Sequence, residues 1–299
     1  MRAIVTIDLG GALELNAFWS WEAAAARWGV PWLIVRQGLA GRYLALLWRA
    51  ADGLASGAAS AMAALPATIL GPASQKTEAF GFADAARAVL ARTPGVAAAC
   101  PMAELGEERH HELFVVDADT VVSARCPSPF VGTSWGPLDR THHPRHARLV
   151  AVGNGNPQRF GDYQGIRAAE LAEWGKLPAV QAGAVHTEPP AAGEYFNSGV
   201  MLARAGARDV FEAARGVCLL DLGLGWHDQT PLNFFALVEA RKHAARRAFQ
   251  LALVDETWNF IHPRTLGAGW EDMGRTGKYI YHFAGEPERA GVIERVRWE

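Results

Sequence analysis

Glu112–Ser123 reads ELFVVDADTVVS, an apolar run carrying two acids, Asp117 and Asp119, one residue apart, with apolar residues resuming behind them. The β-branched run predicts a central strand buried on both faces. Carboxylates are costly in such a place unless paired, metal-bound or at the rim of a site. Residues i and i+2 of a strand face the same way, so a strand continuing through both acids would present two carboxylates side by side. A strand ending there would leave them at its C-terminal edge, where open α/β sheets bind ligands. Two hard oxygen donors with no soft partner suit Mg²⁺ or Mn²⁺ rather than zinc. The competing reading is a pair of turn acids at a strand end.

Outward from this strand the chain alternates between strand and helix patterns. Arg2–Leu9 (RAIVTIDL) and Val30–Gln37 (VPWLIVRQ) read as strands around a helix at Leu13–Gly29 closed by Gly29. That order predicts parallel strands joined by a crossover helix. The Ala-rich stretch from about Arg42 to Leu65 reads as helical, as does Lys76–Arg92 (KTEAFGFADAARAVLAR). Behind the acids, Pro127 to about Arg148 is rich in loop residues, and Arg148–Asn154 (RLVAVGN) reads as a strand. Tyr163–Gly175, Ala207–Leu220 and Asp228–Ala245 read as helices. Short strands are expected within Tyr195–Gly206, Phe249–Asp255 and Lys278–Gly285. The expectation is one α/β domain over residues 1–299, a mixed central sheet flanked by helices. Residues 1–125 read as a front half of nucleotide-binding type and 126–299 as a loop-heavy back half.

The 299 residues, half of them hydrophobic and a fifth charged, are enough for a substantial core. With 29 basic and 31 acidic residues the net charge is −2, which gives no basic excess for nucleic acid or an anionic membrane. Cys100, Cys126 and Cys218 form no CxxC pair, which fits a reducing compartment better than a disulfide framework. The N-terminus runs straight into a strand with no signal-peptide pattern. Tyr43–Leu70, the most apolar long stretch, is broken by Arg49 and Asp52 and makes a poor membrane span. These features lead to an expectation of a soluble, cytoplasmic chain.

VVDADT also resembles the DxDxT of haloacid-dehalogenase-like phosphatases, in which the first Asp is the nucleophile, although its threonine falls one position early, at Thr120. That motif usually follows its domain's first strand, and here it lies over a hundred residues in. Three later segments favour another relation: Glu194–Arg204 (EYFNSGVMLAR), Trp226–Phe235 (WHDQTPLNFF), and Tyr279–Gly285 (YIYHFAG) preceded by Glu256–Phe260 (ETWNF). With FVVDADTVV they follow the order and rough spacing of glycosyltransferase family 8. The chain resembles that glycogenin- and galactosyltransferase-like group of GT-A fold enzymes.

The resemblance implies metal-dependent transfer of a sugar from a nucleotide diphosphate, usually UDP, to a carbohydrate, lipid or protein acceptor, with retention of configuration. It implies Asp117, Asp119 and His282 as ligands of Mn²⁺ or Mg²⁺. Asn197, Asp228 and Gln229 match residues lining the donor sugar and the reacting face. An amide suits hydroxyls because it both donates and accepts. Gly199 would allow close backbone approach. Asp8 matches the end of the first strand, where the base and ribose bind, and Lys76 a basic residue near the donor. The family's last motif, HxxGxxKPW, becomes HFAGEPERA here: Gly285 is kept, Glu288 stands at the lysine position, and Arg289 follows it. An arginine fork suits phosphate from that next position.

Simpler readings exist for most of these residues. Asp228 would make an ordinary helix N-cap, FNSG a turn and Lys76 a solvated surface charge. His142, His143 and His146 match no familiar zinc spacing and read as a solvated or acceptor-facing loop. Trp135 and Trp226 are equally suited to sugar stacking and to packing. A chain that keeps the fold and binds a nucleotide sugar without turnover is the alternative from a different functional class.

Overall fold

The computed structural model describes residues 2–8, 15–38, 41–49, 58–65, 72–92, 111–131, 147–154, 163–220, 222–244, 249–261 and 277–283. Its first half contains β1 (Arg2–Asp8), α1 (Leu15–Trp28), β2 (Trp32–Gly38), β3 (Gly41–Arg49), β4 (Ala58–Ala64) and α2 (Ala79–Arg92), then β5 (Glu112–Asp117) and β6 (Thr120–Val122). Next come β7 (Leu149–Gly153), α3 (Tyr163–Gly175), β8 (Phe196–Arg204), α4 (Arg208–Cys218) and α5 (Gln229–Lys242). Three short strands complete it, β9 (Leu251–Val254), β10 (Phe260–Ile261) and β11 (Ile280–His282).

Eight strands form one mixed sheet in the order β4-β3-β2-β1-β5-β8-β7-β9, and β10-β11-β6 form a small second sheet. β1 lies parallel to both β2 and β5, while β3, β4 and β8 run antiparallel to their neighbours. Strands from both halves of the chain thus share one sheet. The expected helix over Arg42–Leu65 is instead β3 and β4, which pair in register from Tyr43↔Ala64 to Arg49↔Ala58. Alanine is the best intrinsic helix former, but propensity yields to tertiary context, and here the pairing edge offered by β2 and burial of Leu44 and Leu46 prevail. The helix expected from Lys76 begins at Ala79, after a 3₁₀ stretch over Pro72–Glu78. The strand within Tyr195–Gly206 spans nine residues rather than a few.

β5 is buried on both faces, as its composition requires. Phe114 and Val116 join α1 residues such as Trp21 in one core, while Leu113 and Val115 join Phe80 of α2, Phe211 of α4 and Leu232 of α5 in the other. The strand stops at Asp117, and Ala118–Asp119 form a turn into β6. The Thr120 hydroxyl closes that turn by donating to the Asp117 carbonyl at 2.6 Å, and the Trp21 indole N–H donates to the Thr120 carbonyl at 3.0 Å. Opposite Thr120 in the small sheet stands His282, and the Phe283 N–H donates to the Asp119 carbonyl. Backbone pairing therefore carries His282 to the acids.

Two substitutions test this packing. Trp21→Ala removes a fully buried side chain and is expected to cost ~3–5 kcal/mol in denaturant unfolding. A loss below ~1 kcal/mol would contradict its place in the core. Gly81 lies in α2 with open space where a Cβ would stand, so Gly81→Ala is expected to stabilise by ~0.4–1 kcal/mol.

Candidate active site

The site forms where β8 leaves its ladder. Ala151 of β7 pairs with Met201, but the next residue, Val152, pairs with Asn197, so Ser198, Gly199 and Val200 have no partners on β7. The backbone groups released there turn to side chains. The Ser198 N–H donates to Gln229 Oε1 at 3.1 Å and the Gly199 N–H to Asn197 Oδ1 at 2.8 Å, while the Ser198 carbonyl accepts from Lys76 at 3.5 Å. Asn233 of α5 fixes the start of the strand by bonding both the N–H and the carbonyl of Phe196.

Ligand atoms of Asp117, Asp119 and His282 all lie within 4.8 Å of one another. His282 Nε2 is 3.5 Å from Asp117 Oδ2 and 3.3 Å from Asp119 Oδ1. The orientation of the ring follows from a donor that cannot flip. The Gly199 N–H requires an acceptor, so the atom of Asn197 facing it is the carbonyl oxygen. That oxygen also faces Asn259 at 2.8 Å, which must present its NH₂ there and its Oδ1 to His282 Nδ1 at 3.1 Å. Nδ1 therefore carries the proton and Nε2 turns a lone pair toward two carboxylates. Three acceptors in such proximity repel one another unless a cation sits among them, either a proton on Nε2 or a metal ion. Two carboxylates and one imidazole, its far nitrogen held by an amide, fit a divalent metal.

Gly199 has a specific part in this. A Cβ at that position would stand 2.1 Å from His282 Cε1 and 2.6 Å from Nδ1. The glycine accommodates the imidazole against the backbone, rather than an approaching ligand as its motif suggested.

Lys76 is buried rather than a surface charge. Its Nζ lies 2.8 Å from Asp117 Oδ1, 3.6 Å from Asp228 Oδ1 and 3.1 Å from Ser198 Oγ. Burial opposes its charge, but attraction to Asp117 and Asp228 outweighs this and holds the ammonium above the ordinary lysine range. Asp228 stands at the N-cap position of α5 yet makes no capping bond. Its backbone is turned inward by His227, whose φ of 45° is left-handed. Oδ1 accepts from Ser198 Oγ at 3.3 Å, and Oδ2 is buried with no hydrogen-bond partner. Burial pushes this carboxyl up to about 7 despite the pull of Lys76, with Asp117 repelling it further.

Asn197 and Gln229 both turn their side-chain oxygens inward to the backbone. Asp8 is buried at the end of β1, next to Ile7, which pairs with Asp117, and its carboxylate meets Arg36 at 3.2 Å. Trp226 packs edge-on against Tyr195, a packing role. Gly285, Glu288, Arg289, Trp135, the histidines at 142, 143 and 146, and Cys100 lie outside the described residues. Sequence reading passed over Ser198 and Asn233, and noted Asn259 only as part of ETWNF. A fully buried Asn on an apolar helix, as at Asn233, was the available signal.

Gly199→Ala is expected to leave a folded chain whose affinity for Mn²⁺ falls by roughly tenfold or more, as outer contacts of metal-bound histidines commonly show. Calorimetric titration measures it, and unchanged affinity would sink the proposed seating of His282. The Asp228 carboxyl has a sign of its own. The folded chain keeps that proton up to about pH 7, while an unfolded carboxyl releases it near 3.8. The folded state then holds more protons than the unfolded one, so this group's contribution to stability falls as pH rises through the window. Asp228→Asn should therefore gain stability relative to wild type between pH 4 and 7, read from paired urea melts.

No family model matches the chain, and no curated protein matches it. Among solved structures it is similar to a glycosyltransferase involved in the glycosylation of the major capsid of PBCV-1, at 10% identity and TM-score 0.43, over 98% of this chain and 97% of that one. It is also similar to the galactosyltransferase LgtC in complex with donor and acceptor sugar analogues, at 15% identity and TM-score 0.42, over 96% and 88% of the two chains. Both likenesses are too distant for an activity to be carried over from them.

Proposed function

We propose that the chain is a metal-dependent glycosyltransferase of GT-A type that takes a sugar from a nucleotide diphosphate, UDP in the first instance, to a carbohydrate, lipid or protein acceptor. The observation that carries this reading is the convergence of Asp117, Asp119 and His282 into a cluster of facing acceptors. Such a cluster at the C-terminal end of a central strand, beside a buried lysine, suits a cation together with an anionic ligand.

A divalent ion held by these three residues, Mn²⁺ or Mg²⁺, would supply positive charge where a departing diphosphate becomes negative. The chain's own residues account for the remaining roles. Lys76 brings a second fixed cation to the same edge, with its charge secured by Asp117 and Asp228. Asp228 Oδ2, buried and without a partner, accepts from a sugar hydroxyl. Asn197, its oxygen spent on the backbone, has amide hydrogens to donate to the donor sugar, while Gln229, bonded to the Ser198 N–H and to Tyr195, lines the reacting face. Asp8 holds the nucleoside end, and Gly285 and Arg289 complete the diphosphate side. Retention of configuration belongs to this reading. Gln229 is a poor nucleophile, and it stabilises the reacting face rather than attacking it.

The phosphatase reading loses its Thr, because DxDxT counted from Asp117 places Val121 at that position. A binder without turnover is separated from an enzyme by experiment. UDP-sugar hydrolysis or transfer should fall by roughly 10²–10³-fold in EDTA and return with Mn²⁺, and Asp119→Ala should lose a similar factor. Undiminished activity in EDTA or in the variant would refute metal-dependent transfer. Tight UDP binding with no turnover across donors and acceptors would replace it with the binding role.

A further inference from the structure

At the opposite end of the same strands lies a cavity of about 1010 Å³. The register of the sheet explains its charge. Arg2 of β1 stands beside Glu112 of β5, Glu112 beside Arg204 of β8, and the Arg204 N–H donates to the carbonyl of Arg148, which leads into β7. One rung thus sets three arginines and one glutamate along four adjacent strands. Arg27 of α1 and Arg125, in the turn after β6, add two further guanidinium groups to the wall. Glu112 is the one carboxylate among the described lining residues, and it is already shared by Arg2 at 2.6 Å and Arg204 at 2.9 Å.

Two of these guanidinium groups, Arg27 and Arg148, have no carboxylate partner among the described residues. Arg27 donates to the carbonyls of Ser123 and Cys126, which are neutral, and lies over the Trp28 ring. The Arg148 side chain lies along Gly206, where a Cβ would meet it at 2.5 Å, and no ion pair to it occurs among the described residues. A second, independent feature points the same way. His111 also lines the cavity, is 1% exposed, and has no hydrogen-bond partner for either ring nitrogen. Asp84 stands 4.0 Å from its Nδ1, beyond hydrogen-bond reach. Burial, then neighbouring positive charge, pushes this imidazole down to about 4, so the ring is neutral. A buried polar group left unpaired costs ~1–3 kcal/mol, and a ligand that bonded it would recover that cost.

The rest of the wall is apolar, with Trp28, Pro31 and Phe130 among its members. The volume is at the upper end of the roughly 300–1,000 Å³ usual for ligand pockets and far exceeds an inorganic ion. Guanidinium forks match phosphate oxygens, and apolar walls match a hydrocarbon or aromatic body. We propose that this cavity is a second binding site, separate from the aspartate–histidine cluster, for an organic phosphate monoester carried on an apolar body. A strand of six or seven residues, ~20 Å, separates the two sites. The inference does not depend on the glycosyltransferase reading. The phosphate is presented either by a soluble molecule or by a lipid headgroup.

The test uses the full chain in EDTA, which keeps a metal-bound phosphate out of the other site. 1-Naphthyl phosphate is titrated by calorimetry, and vesicles of phosphatidylcholine with and without phosphatidic acid are tested by flotation. The site predicts binding of at least one probe: naphthyl phosphate for a soluble ligand, or the phosphatidic acid vesicles alone for a headgroup. Binding should weaken by roughly tenfold or more in Arg148→Ala. It should weaken likewise in Arg125→Ala, at an exposed turn position. It should be unchanged in Asp119→Ala, and naphthyl phosphate, if it binds, should shift the imidazole nitrogen resonances of His111. Failure of both probes to bind overturns the proposal. So does binding that both arginine variants leave intact, or binding that Asp119→Ala abolishes.

Discussion

Two carboxylates and an imidazole lone pair face one another at the end of β5. Charges of that kind separate unless the backbone holds them, and here three independent constraints do so. The turn closed by Thr120 fixes Asp117 and Asp119 relative to each other. Pairing of β6 with β11 brings His282 alongside. The relay from the Gly199 N–H through Asn197 and Asn259 sets the tautomer that points Nε2 inward. Each is made from backbone geometry or short hydrogen bonds rather than from attraction among the three ligands, which is why the cluster can exist ready for a cation.

The same frame explains the buried charges beside it. Lys76 would be costly at its depth without Asp117 and Asp228, and Asp228 would be costly without Lys76 and Ser198. Their positions come from three different elements that meet where β8 gives up its pairing with β7. An ordinary ladder there would occupy the backbone groups of Ser198 and Gly199 and leave no room for the imidazole. The interruption of the sheet makes the site possible, while at the far end of the strands intact pairing lines up the arginines of the second cavity.

Much of this was legible in the residues. The apolar run ahead of Asp117 could only be a strand buried on both faces, and two acids at its end had to be accounted for. Helices α1, α3 and α4 followed from their apolar patterns, and α5 from its length and composition, since it is buried nearly all round. The hairpin of β3 and β4 did not, because its alanines favour helix and its state is decided instead by a neighbouring strand edge. The reason for Gly199 was also out of reach: it depends on a ring more than eighty positions away. Asn197 looked like a sugar contact from its motif, yet its oxygen belongs to the relay that orients His282. Asp228 looked like a helix cap, yet its carboxylate turns away from the helix to Ser198 and Lys76. In both cases the residue type was informative and its partner was not, because the partner is set by a register jump no local pattern reveals.

The central claim is that the lone pair of His282 Nε2 and the carboxylates of Asp117 and Asp119 share one cation. Electron spin echo spectroscopy of the chain with one equivalent of Mn²⁺ addresses it directly, because a directly bound imidazole nitrogen modulates the echo. The account predicts modulation from a single nitrogen that disappears in His282→Gln while manganese still binds more weakly through the two aspartates. Manganese bound tightly with no nitrogen modulation, or modulation that survives His282→Gln, would contradict it.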